Sequence, residues 1–540
     1  MEWYSSVQCS KFMKDIFCFV KLLSVLIFAG LFSCNGDNRS NSGQVEYTEQ
    51  NRPKVHFTPE KNWMGVPSGF VYAEGEYHLF YEHNPDRPVW GNLHWGHAVS
   101  KDLVHWTNLP IAIFPDSLGN ILSGCVIIDI KNTSGLGTAD NPPIIAFYMQ
   151  LDEKNLKNSQ NKIGMLSIAY SIDKGYKWIK YKGNPIFTGT HFFSDPKVFW
   201  HEQTKKWIMC MGVSDMINFY SSPDCIHWEY MSNFKKREQA NNTFWEYPEL
   251  FPLTVKGSNE TKWVLLVNES GADAEYAPTA KYFIGDFDGQ SFKATQLDAK
   301  KFSYWLDYGK DFYANISCSN EPNNRRIIIG WMNCRQYAEQ VPAEVWRGSA
   351  TFPRELNLVK DDFLYLLTAT PIAEISNLYG KEKSIKDFEV STNSKIIFDT
   401  LSFNKTPTEI KLVFDISQQH WIGFPLSYGI KFQNSRGEYY TIKYENDFED
   451  FFIDRKISTN NEFSKLFNYK FYLLYRANGP TFEWRIIFDS SSIELFADNC
   501  KVSVTNTIYP SEPFQSIELF TERSPIHVLN CSITELKSIW

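Results

Sequence analysis

The chain has 540 residues, a net charge of −8 and no cluster of basic residues, so nucleic acid is not expected as a partner. Its length exceeds what one ordinary hydrophobic core organises and predicts two domains. Aromatic residues make up 16% of the chain, and this composition favours a strand-rich fold whose rings pack on pleated surfaces.

The N-terminus has the pattern of a secretion signal. Lys11 and Lys14 precede an apolar run over residues 16–32, which is short for a membrane-spanning helix and ends in LFSCN. This ending resembles a bacterial lipoprotein box, so residues 1–34 predict a lipoprotein-type signal peptide and Cys34 a lipidation site that anchors the protein to a bacterial membrane. An ordinary signal peptide or an uncleaved anchor remains the alternative.

Residues 35–52 are polar and predict a tether between this anchor and the folded protein. We therefore expect a location at the bacterial cell envelope, on the outer membrane surface or in the periplasm. The seven Cys beyond the leader are scattered, without the C-x-x-C or His/Cys spacing of a zinc site, and are interpreted mostly as buried thiols. No metal or organic cofactor is expected, and a monomer is expected.

Residues 53–370 repeat one pattern of short apolar strands and similar turns. SKD leads to HW at residues 100–106, SID leads to KW at 171–178, and SPD leads to HW at 222–228. A weaker version is DFDG at residues 286–289. Repeats spaced by roughly 50 to 70 residues are typical of propeller blades, each a small sheet with the same turn at the same place.

The pattern changes after residue 370. Residues 372–379 predict a short connecting helix, and residues 371–540 contain many short alternating strands separated by polar turns. That arrangement is typical of a β-sandwich. The predicted fold class is thus all-β, a β-propeller followed by a C-terminal β-sandwich.

Eight motif-like segments follow one another along the chain: WMGVPSG at 63–69, WGNLHWGH at 90–97, SG at 123–124, FSDPKVF at 193–199, WEYPEL at 245–250, DYGKDFYA at 307–314, GWMN at 330–333 and DSSSIELF at 489–496. In this order they resemble the signatures of glycoside hydrolase family 32, which contains invertases, inulinases and levanases. The similarity covers nearly the whole chain after residue 55. It implies that the propeller has five blades and that the substrate is a β-fructan or fructo-oligosaccharide.

The resemblance also implies the roles of individual residues. Glu246 takes the position of the acid/base, Asp195 that of the transition-state stabiliser, and Val66 that of the nucleophile, which is normally Asp. Expected substrate-binding residues are Glu82, Trp90, Ser123, Tyr313 and Trp331. Departures from the family pattern concentrate around the expected sugar pocket: Gly65, Val66, Ser68, Glu82, Ser194 and Tyr247.

Val66 can neither attack an anomeric carbon nor stabilise an oxocarbenium ion, and losing a nucleophile costs on the order of 10³ to 10⁶ in rate. One hypothesis is therefore a fructan-binding relative in which hydrolysis is lost or strongly reduced. The alternative is an active retaining glycosidase acting on β-fructofuranoside bonds through a substitute carboxylate, with Glu82 the first candidate. A different glycoside with a different nucleophile is a third reading.

Overall fold

Five small, mainly antiparallel sheets and a pair of six-stranded sheets make up almost all of the described chain. The computed structural model describes residues 47–152, 164–189, 193–235, 243–271, 279–296, 304–361, 363–392, 395–399, 406–417, 426–456 and 463–540. The predicted leader, Cys34 and residues 35–46 of the predicted tether lie outside these ranges. The prediction of an all-β propeller and sandwich is confirmed.

The five small sheets are the blades of a propeller, and the strands of each blade follow one another in chain order. Blade one contains β1 (Asn62–Ala73), β2 (Glu76–Asn84), β3 (His94–Ser100) and β4 (Trp106–Ile113); blade two contains β5 (Asn120–Ile128), β6 (Ile144–Leu151), β7 (Met165–Ser171), β8 (Ile179–Lys180) and β9 (Phe187–Thr188). Blade three contains β10 (Ser194–His201), β11 (Lys206–Val213), β12 (Met216–Ser222) and β13 (Glu229–Lys235); blade four contains β14 (Thr243–Thr254), β15 (Thr261–Gly271), β16 (Ala280–Phe287) and β17 (Phe292–Gln296). Blade five contains β18 (Tyr313–Ser317) and β19 (Ile327–Trp331), and, after β20 (Trp346–Arg347), β21 (Arg354–Asp361) and β22 (Leu364–Pro371).

The first strands of the blades form the inner ring of the propeller. β1, β5, β10, β14 and β18 contact one another in sequence, and β18 contacts β1 again. The ring is also closed at its edge, because β20 from the chain segment between β19 and β21 pairs in parallel with β1. Such closure leaves no open sheet edge between the first and last blades.

The repeated turns join the third strand of a blade to its fourth. In blades one, two and three the indole N–H of the Trp donates to a backbone carbonyl within the turn, at 2.9 Å for Trp106, 2.9 Å for Trp178 and 3.1 Å for Trp228. Side chains of Asp102 and Asp224 accept backbone N–H groups of the same turns. The repeated sequence pattern therefore encodes one local structure that leads into the fourth strand of each of these three blades.

A 3-10 helix (Ala373–Leu378) connects the propeller to the sandwich. The sandwich strands are β23 (Tyr379–Val390), β24 (Lys395–Asp399), β25 (Thr408–Asp415), β26 (Ser427–Gln433), β27 (Tyr439–Glu445), β28 (Asp450–Lys456), β29 (Tyr469–Leu474), β30 (Thr481–Asp489), β31 (Ser492–Ala497), β32 (Val502–Thr507), β33 (Ser516–Glu522) and β34 (Ile526–Leu536). The two sheets have the orders β23-β34-β25-β30-β31-β32 and β24-β33-β26-β27-β28-β29. Alternate apolar residues of both sheets form one buried core.

A buried ionic network joins the sandwich to the propeller. His56 contacts Asp489 through Nδ1 and Glu494 through Nε2, both at 2.8 Å, and Arg354 contacts Asp307 at 2.7 Å and Glu494 at 2.5 Å. Burial opposes the charged imidazole, but the hydrogen bonds to Asp489 and Glu494 outweigh it and raise the pKa of His56 to about 9. The DSSSIELF segment thus supplies two carboxylates that attach one domain to the other.

The described residues contain seven Cys, all free, of which five are buried. The interpretation as mostly buried thiols is confirmed for these residues. Within the described ranges, no helix is long and apolar enough to cross a membrane. The same ranges contain no group of three or more His, Cys, Asp or Glu side chains placed to hold a metal ion.

Candidate functional site

A cavity of about 380 Å³ lies at the end of the propeller where the inner strands begin. The sequence analysis assigned catalytic or substrate-binding positions to eight residues. Seven of these eight line the cavity: Val66, Glu82, Trp90, Ser123, Asp195, Glu246 and Trp331. The eighth, Tyr313, donates a hydrogen bond to Glu246 from its hydroxyl group. Residues separated by more than 260 positions are thus brought together by the ring of strands, and the volume is that of a small-molecule site.

Each inner strand is irregular where it passes this cavity. Strand register shifts between Met64 and Pro67 in β1, and similar shifts occur in β5, β10, β14 and β18. Asp195, Tyr247 and Ala314 have positive φ values of 56°, 50° and 51° at these shifts. An extra residue in a strand turns neighbouring side chains toward one side, and left-handed backbone in non-glycine residues is typical of functional sites.

Asp195 is held by groups from three blades. It accepts hydrogen bonds from the Ser123 hydroxyl on β5 and, at 3.3 Å, from the backbone N–H of Tyr247 on β14. Burial and the nearby Glu246 carboxylate raise the pKa of Asp195 above its usual range, although hydrogen bonds from Ser123 and Ser194 oppose the rise. The carboxylate is therefore fixed and faces the cavity, and no cationic side chain in the described part of the chain forms an ion pair with it.

Glu246 lies at the more open side of the cavity. Its Oε2 accepts the Tyr313 hydroxyl, and its Oε1 is 3.5 Å from Nη1 of Arg335. The Arg335 guanidinium lies over the Tyr313 ring, with Cζ 4.7 Å from the ring centroid. Burial, together with the carboxylate of Glu246, raises the pKa of Tyr313, so its hydroxyl remains a proton donor in this contact.

Glu82 occupies space that Gly65 leaves open. A Cβ atom at position 65 would lie 2.9 Å from both Cβ and Oε2 of Glu82, too close for any side chain there without movement. Burial raises the pKa of Glu82 to about 8; the Asp195 carboxylate adds to the rise, while Arg335 and the backbone N–H of Ser123 oppose it. At neutral pH this carboxyl group is therefore mainly protonated.

Val66 presents an aliphatic side chain to the cavity and is only 4% exposed. Ser68, two residues further along β1, is fully buried and does not line the cavity. Its hydroxyl donates to the Val66 carbonyl at 3.1 Å. In the described part of β1, no residue lining the cavity has a carboxylate. The neighbouring strand β2 supplies Glu82, whose Oε2 lies beside Gly65, the residue before Val66.

Aromatic side chains form the walls of the cavity. Trp63 and Trp331 pack edge to face with their ring centroids 5.8 Å apart, and Trp90 is 43% exposed at the rim. The Trp331 indole donates to the Met64 carbonyl at 3.1 Å, whereas the buried Trp63 indole N–H has no hydrogen-bond partner among the described residues. Flat rings beside polar donors and carboxylates suit a sugar.

The sequence reasoning missed several residues that line this cavity, among them Trp63, Arg335 and the carboxylate of Glu339. Trp63 lies in the quoted WMGVPSG segment but was assigned no role, and Arg335 lies two residues after the quoted GWMN segment. Arg335 is the one cationic residue among the described residues that line the cavity. Its proximity to GWMN was the only available signal, because its partner Glu246 is 89 positions away.

Three carboxyl groups of the cavity are candidates for chemistry. Asp195 is held in place by hydrogen bonds, Glu246 has the Tyr313 hydroxyl and the Arg335 guanidinium beside it, and Glu82 lies next to Gly65. A retaining glycosidase requires two carboxyl groups about 5–5.5 Å apart, one of which attacks the anomeric carbon. At the positions to which the sequence resemblance assigns the acid/base and the stabiliser, the cavity has the carboxyl groups of Glu246 and Asp195, and at the position that it assigns to the nucleophile the cavity has Val66.

Comparisons with known proteins agree with this architecture. The profile for the glycosyl hydrolases family 32 N-terminal domain matches residues 56–368, and that for the family 32 C terminal matches residues 374–535. A levanase of Bacillus subtilis is 37% identical over 96% of this chain and 75% of its own length, and a levanbiose-producing levanase of the same species is 31% identical over 97% and 98%.

Among solved structures, the exo-inulinase from Aspergillus awamori superimposes with a TM-score of 0.81 at 26% identity, covering 92% of this chain and 100% of that one. The two family profiles together span most of the residues from the first blade to the last sandwich strand. With its propeller, its sandwich and its cavity of carboxylates and aromatic rings, the chain belongs to glycosyl hydrolase family 32.

Proposed function

We propose that this protein binds β-fructan or fructo-oligosaccharide in the propeller cavity and that its hydrolytic activity is lost or strongly reduced. The observation that carries the proposal is the aliphatic side chain of Val66 in a cavity that retains Asp195 and Glu246. Related proteins named levanase and exo-inulinase supply the substrate class. Glu82, Trp90, Ser123, Tyr313 and Trp331 would contact the sugar or orient the carboxylates that do.

The physical reason is that double displacement needs a covalent intermediate. The nucleophile attacks the anomeric carbon while the acid/base protonates the leaving oxygen, and water later releases the sugar from the enzyme. Val66 can form no such bond. Binding requires much less: fixed hydrogen-bonding groups and aromatic walls, which the cavity keeps.

The test combines binding and hydrolysis. We expect levan or inulin oligosaccharides to bind in calorimetry, and Asp195→Asn to weaken binding by at least tenfold. Prolonged incubation should release little sugar. Val66→Asp together with Ser194→Arg should raise release from sucrose, levan or inulin by at least 100-fold if the pocket is otherwise family-like. If none of these ligands binds, the proposal is contradicted.

A second candidate function is slow hydrolysis with Glu82 as the substitute carboxylate. The specific observation in its favour is that Glu82 Oε2 lies beside Gly65, the residue adjacent to Val66. Its pKa of about 8 disfavours the ionised nucleophile at neutral pH and favours activity that increases toward pH 8.

Two variants separate the candidates. Sugar release by the unaltered protein that is abolished in both Glu82→Gln and Glu246→Gln would establish the second candidate and exclude pure binding. The matched variant Glu339→Gln changes another glutamate that lines the cavity, so a loss specific to Glu82 would distinguish a chemical role from a general change in pocket charge.

We further propose that the protein is a monomer anchored to a bacterial cell envelope through lipid on Cys34. The tether would be residues 35–46 of the predicted segment 35–52, because residues 47–52 belong to the folded protein: Arg52 is buried, and its guanidinium donates to Thr58 and to the carbonyl of Pro59. The lipoprotein-like sequence around Cys34 supports the anchor. Mass spectrometry of the N-terminal peptide should find a lipidated Cys34. Cys34→Ala should then shift the protein from the membrane fraction to the soluble fraction. An unmodified Cys34 would contradict the anchor.

A further inference from the structure

A second cavity, of about 550 Å³, lies toward the other end of the inner strands. We call it the far cavity and define it by Trp200, Phe251, Trp263, Asn320 and Arg326. Asp195 and Glu246 precede its residues on β10 and β14 respectively, so each strand passes from the first cavity to the far cavity. Its volume lies within the usual range of ligand sites.

A buried ion pair separates the two cavities. Between them, Lys197 on β10 contacts Glu249 on β14 at 2.9 Å, and its Nζ also donates to the carbonyl and hydroxyl oxygens of Ser317 on β18, at 3.2 and 3.1 Å. All three side chains are buried. Because these strands belong to three blades, the contacts close the interior of the ring, and a ligand in one cavity does not extend into the other.

Arg326 supplies hydrogen-bond donors to the far cavity. Its guanidinium lies over the Phe251 ring, with Cζ 4.7 Å from the centroid, and Nη1 donates to Ser317 Oγ at 3.3 Å. No further hydrogen bond joins it to the described residues. Arginine carries five N–H donors in a planar fork, so most of them remain available to a ligand.

Two half-buried indoles form walls of the far cavity and are held in place by their neighbours. The Trp200 N–H donates to Glu202 at 2.5 Å, and the ring packs against Trp207 with centroids 5.3 Å apart. Trp263 packs against His201 and Phe287, at 5.7 and 5.2 Å. Fixed aromatic rings beside donors are the features that cover the apolar face of a sugar and bind its hydroxyl groups.

Most charged groups that line the far cavity are already paired within the protein. Glu249 neutralises Lys197, and Glu202 forms ion pairs with Lys205 and, at 3.5 Å, with Lys131, whose Nζ also lies 4.4 Å from the centroid of the Trp200 ring. Burial lowers the pKa of His201, so the imidazole is neutral at pH 7. Among the described lining residues this leaves the Arg326 guanidinium without an ion-pair partner, a single donor fork that can bind the hydroxyl groups of a neutral ligand.

We infer that the far cavity is a second glycan-binding site, which takes a neutral oligosaccharide against Trp200 and Trp263 with hydrogen bonds from Arg326. The choice of fructan as the ligand rests on the function proposed above. Two sites at opposite ends of one propeller allow a single molecule to hold a polysaccharide chain at two places, and this increases retention without any new contact.

The test is calorimetric titration of the purified protein with a purified fructo-oligosaccharide. Arg326→Gln removes the donor fork, and Thr261→Trp adds a large ring at the exposed rim of the far cavity. Arg436→Gln is the matched control, because it makes the same charge change at a half-exposed position on the sandwich. Asp195→Asn reports on the first cavity.

We expect two sites per molecule, with one of them weakened at least tenfold by Arg326→Gln and by Thr261→Trp but not by Arg436→Gln. Binding that survives Asp195→Asn and is lost on adding Arg326→Gln would support the far cavity even if the first cavity fails. One site that Asp195→Asn abolishes and Arg326→Gln leaves unchanged would overturn the inference while the proposed function stands. No binding at all would overturn both.

Discussion

Glu82→Gln is expected to make the protein more stable, although it changes a residue at the centre of the candidate site. Glu82 is 6% exposed, and burial raises its pKa from 4.5 to about 8. Glutamine has nearly the same shape and carries no ionisable group. Its amide oxygen can still accept the Ser123 N–H, which now donates to the carboxyl group.

The magnitude follows from proton linkage. Between pH 4.5 and pH 8 the folded protein keeps a proton on Glu82 that the unfolded chain has lost, so stability falls as pH rises through this window. At 1.36 kcal/mol per pKa unit, the cost is below about 1 kcal/mol at pH 5, about 3 kcal/mol at pH 7 and about 5 kcal/mol at pH 9. Glu82→Gln should recover these amounts to within a factor of two.

Urea unfolding of the two proteins at pH 5, 7 and 9 measures the difference. Glu229→Gln, at an exposed position on β13, is the control and should change stability by less than about 0.5 kcal/mol at each pH. A Glu82→Gln protein that is less stable than the parent at pH 9, or a difference that does not grow with pH, would refute the reasoning that Glu82 is held neutral by burial.

Three further predictions concern other parts of the molecule. The protonated His56 should add on the order of 3 kcal/mol to the free energy of unfolding below pH 6.5, and this contribution should be lost as pH rises through about 9. His56→Gln should remove this pH dependence in unfolding titrations. An unchanged pH profile in the variant would contradict the prediction. Gly65→Ala should lower the free energy of unfolding by about 1–3 kcal/mol, because the new Cβ would lie 2.9 Å from Glu82. The same loss of stability in a Glu82→Gln background would show that the effect is steric. Trp90→Ala at the exposed rim should weaken fructan binding about tenfold and leave the free energy of unfolding unchanged. If the variant binds fructan as tightly as the parent protein, Trp90 does not contact the ligand.

Much of the fold could be predicted from local pattern. The SKD, SID and SPD repeats encode turns in which an indole closes onto the backbone, and this local chemistry needs no distant partner. A short connecting helix was predicted at residues 372–379, where the strand pattern changes, and a 3-10 helix is found at Ala373–Leu378. The number of blades came from family resemblance, since weak repeats do not fix where a ring closes.

Prediction of the site was less complete, for a physical reason. Val66, Asp195 and Glu246 were identified because they lie in motifs, and the structure places all three around one cavity. Arg335 and the packing of Glu82 into the space at Gly65 were not identified, because each depends on a contact between separate segments of the chain that only the fold brings together.

The sequence by itself determined that the chain forms strands, where the repeated turns fall, and that residue 66 has no carboxylate to attack a sugar. Only the tertiary structure decided that Glu82 is buried and held mainly neutral, that Arg335 lies beside Glu246, and that Asp489 and Glu494 join the two domains through His56. Turns and strand patterns depend on neighbours in the chain, whereas burial and electrostatic partners depend on which blades the closed ring brings together.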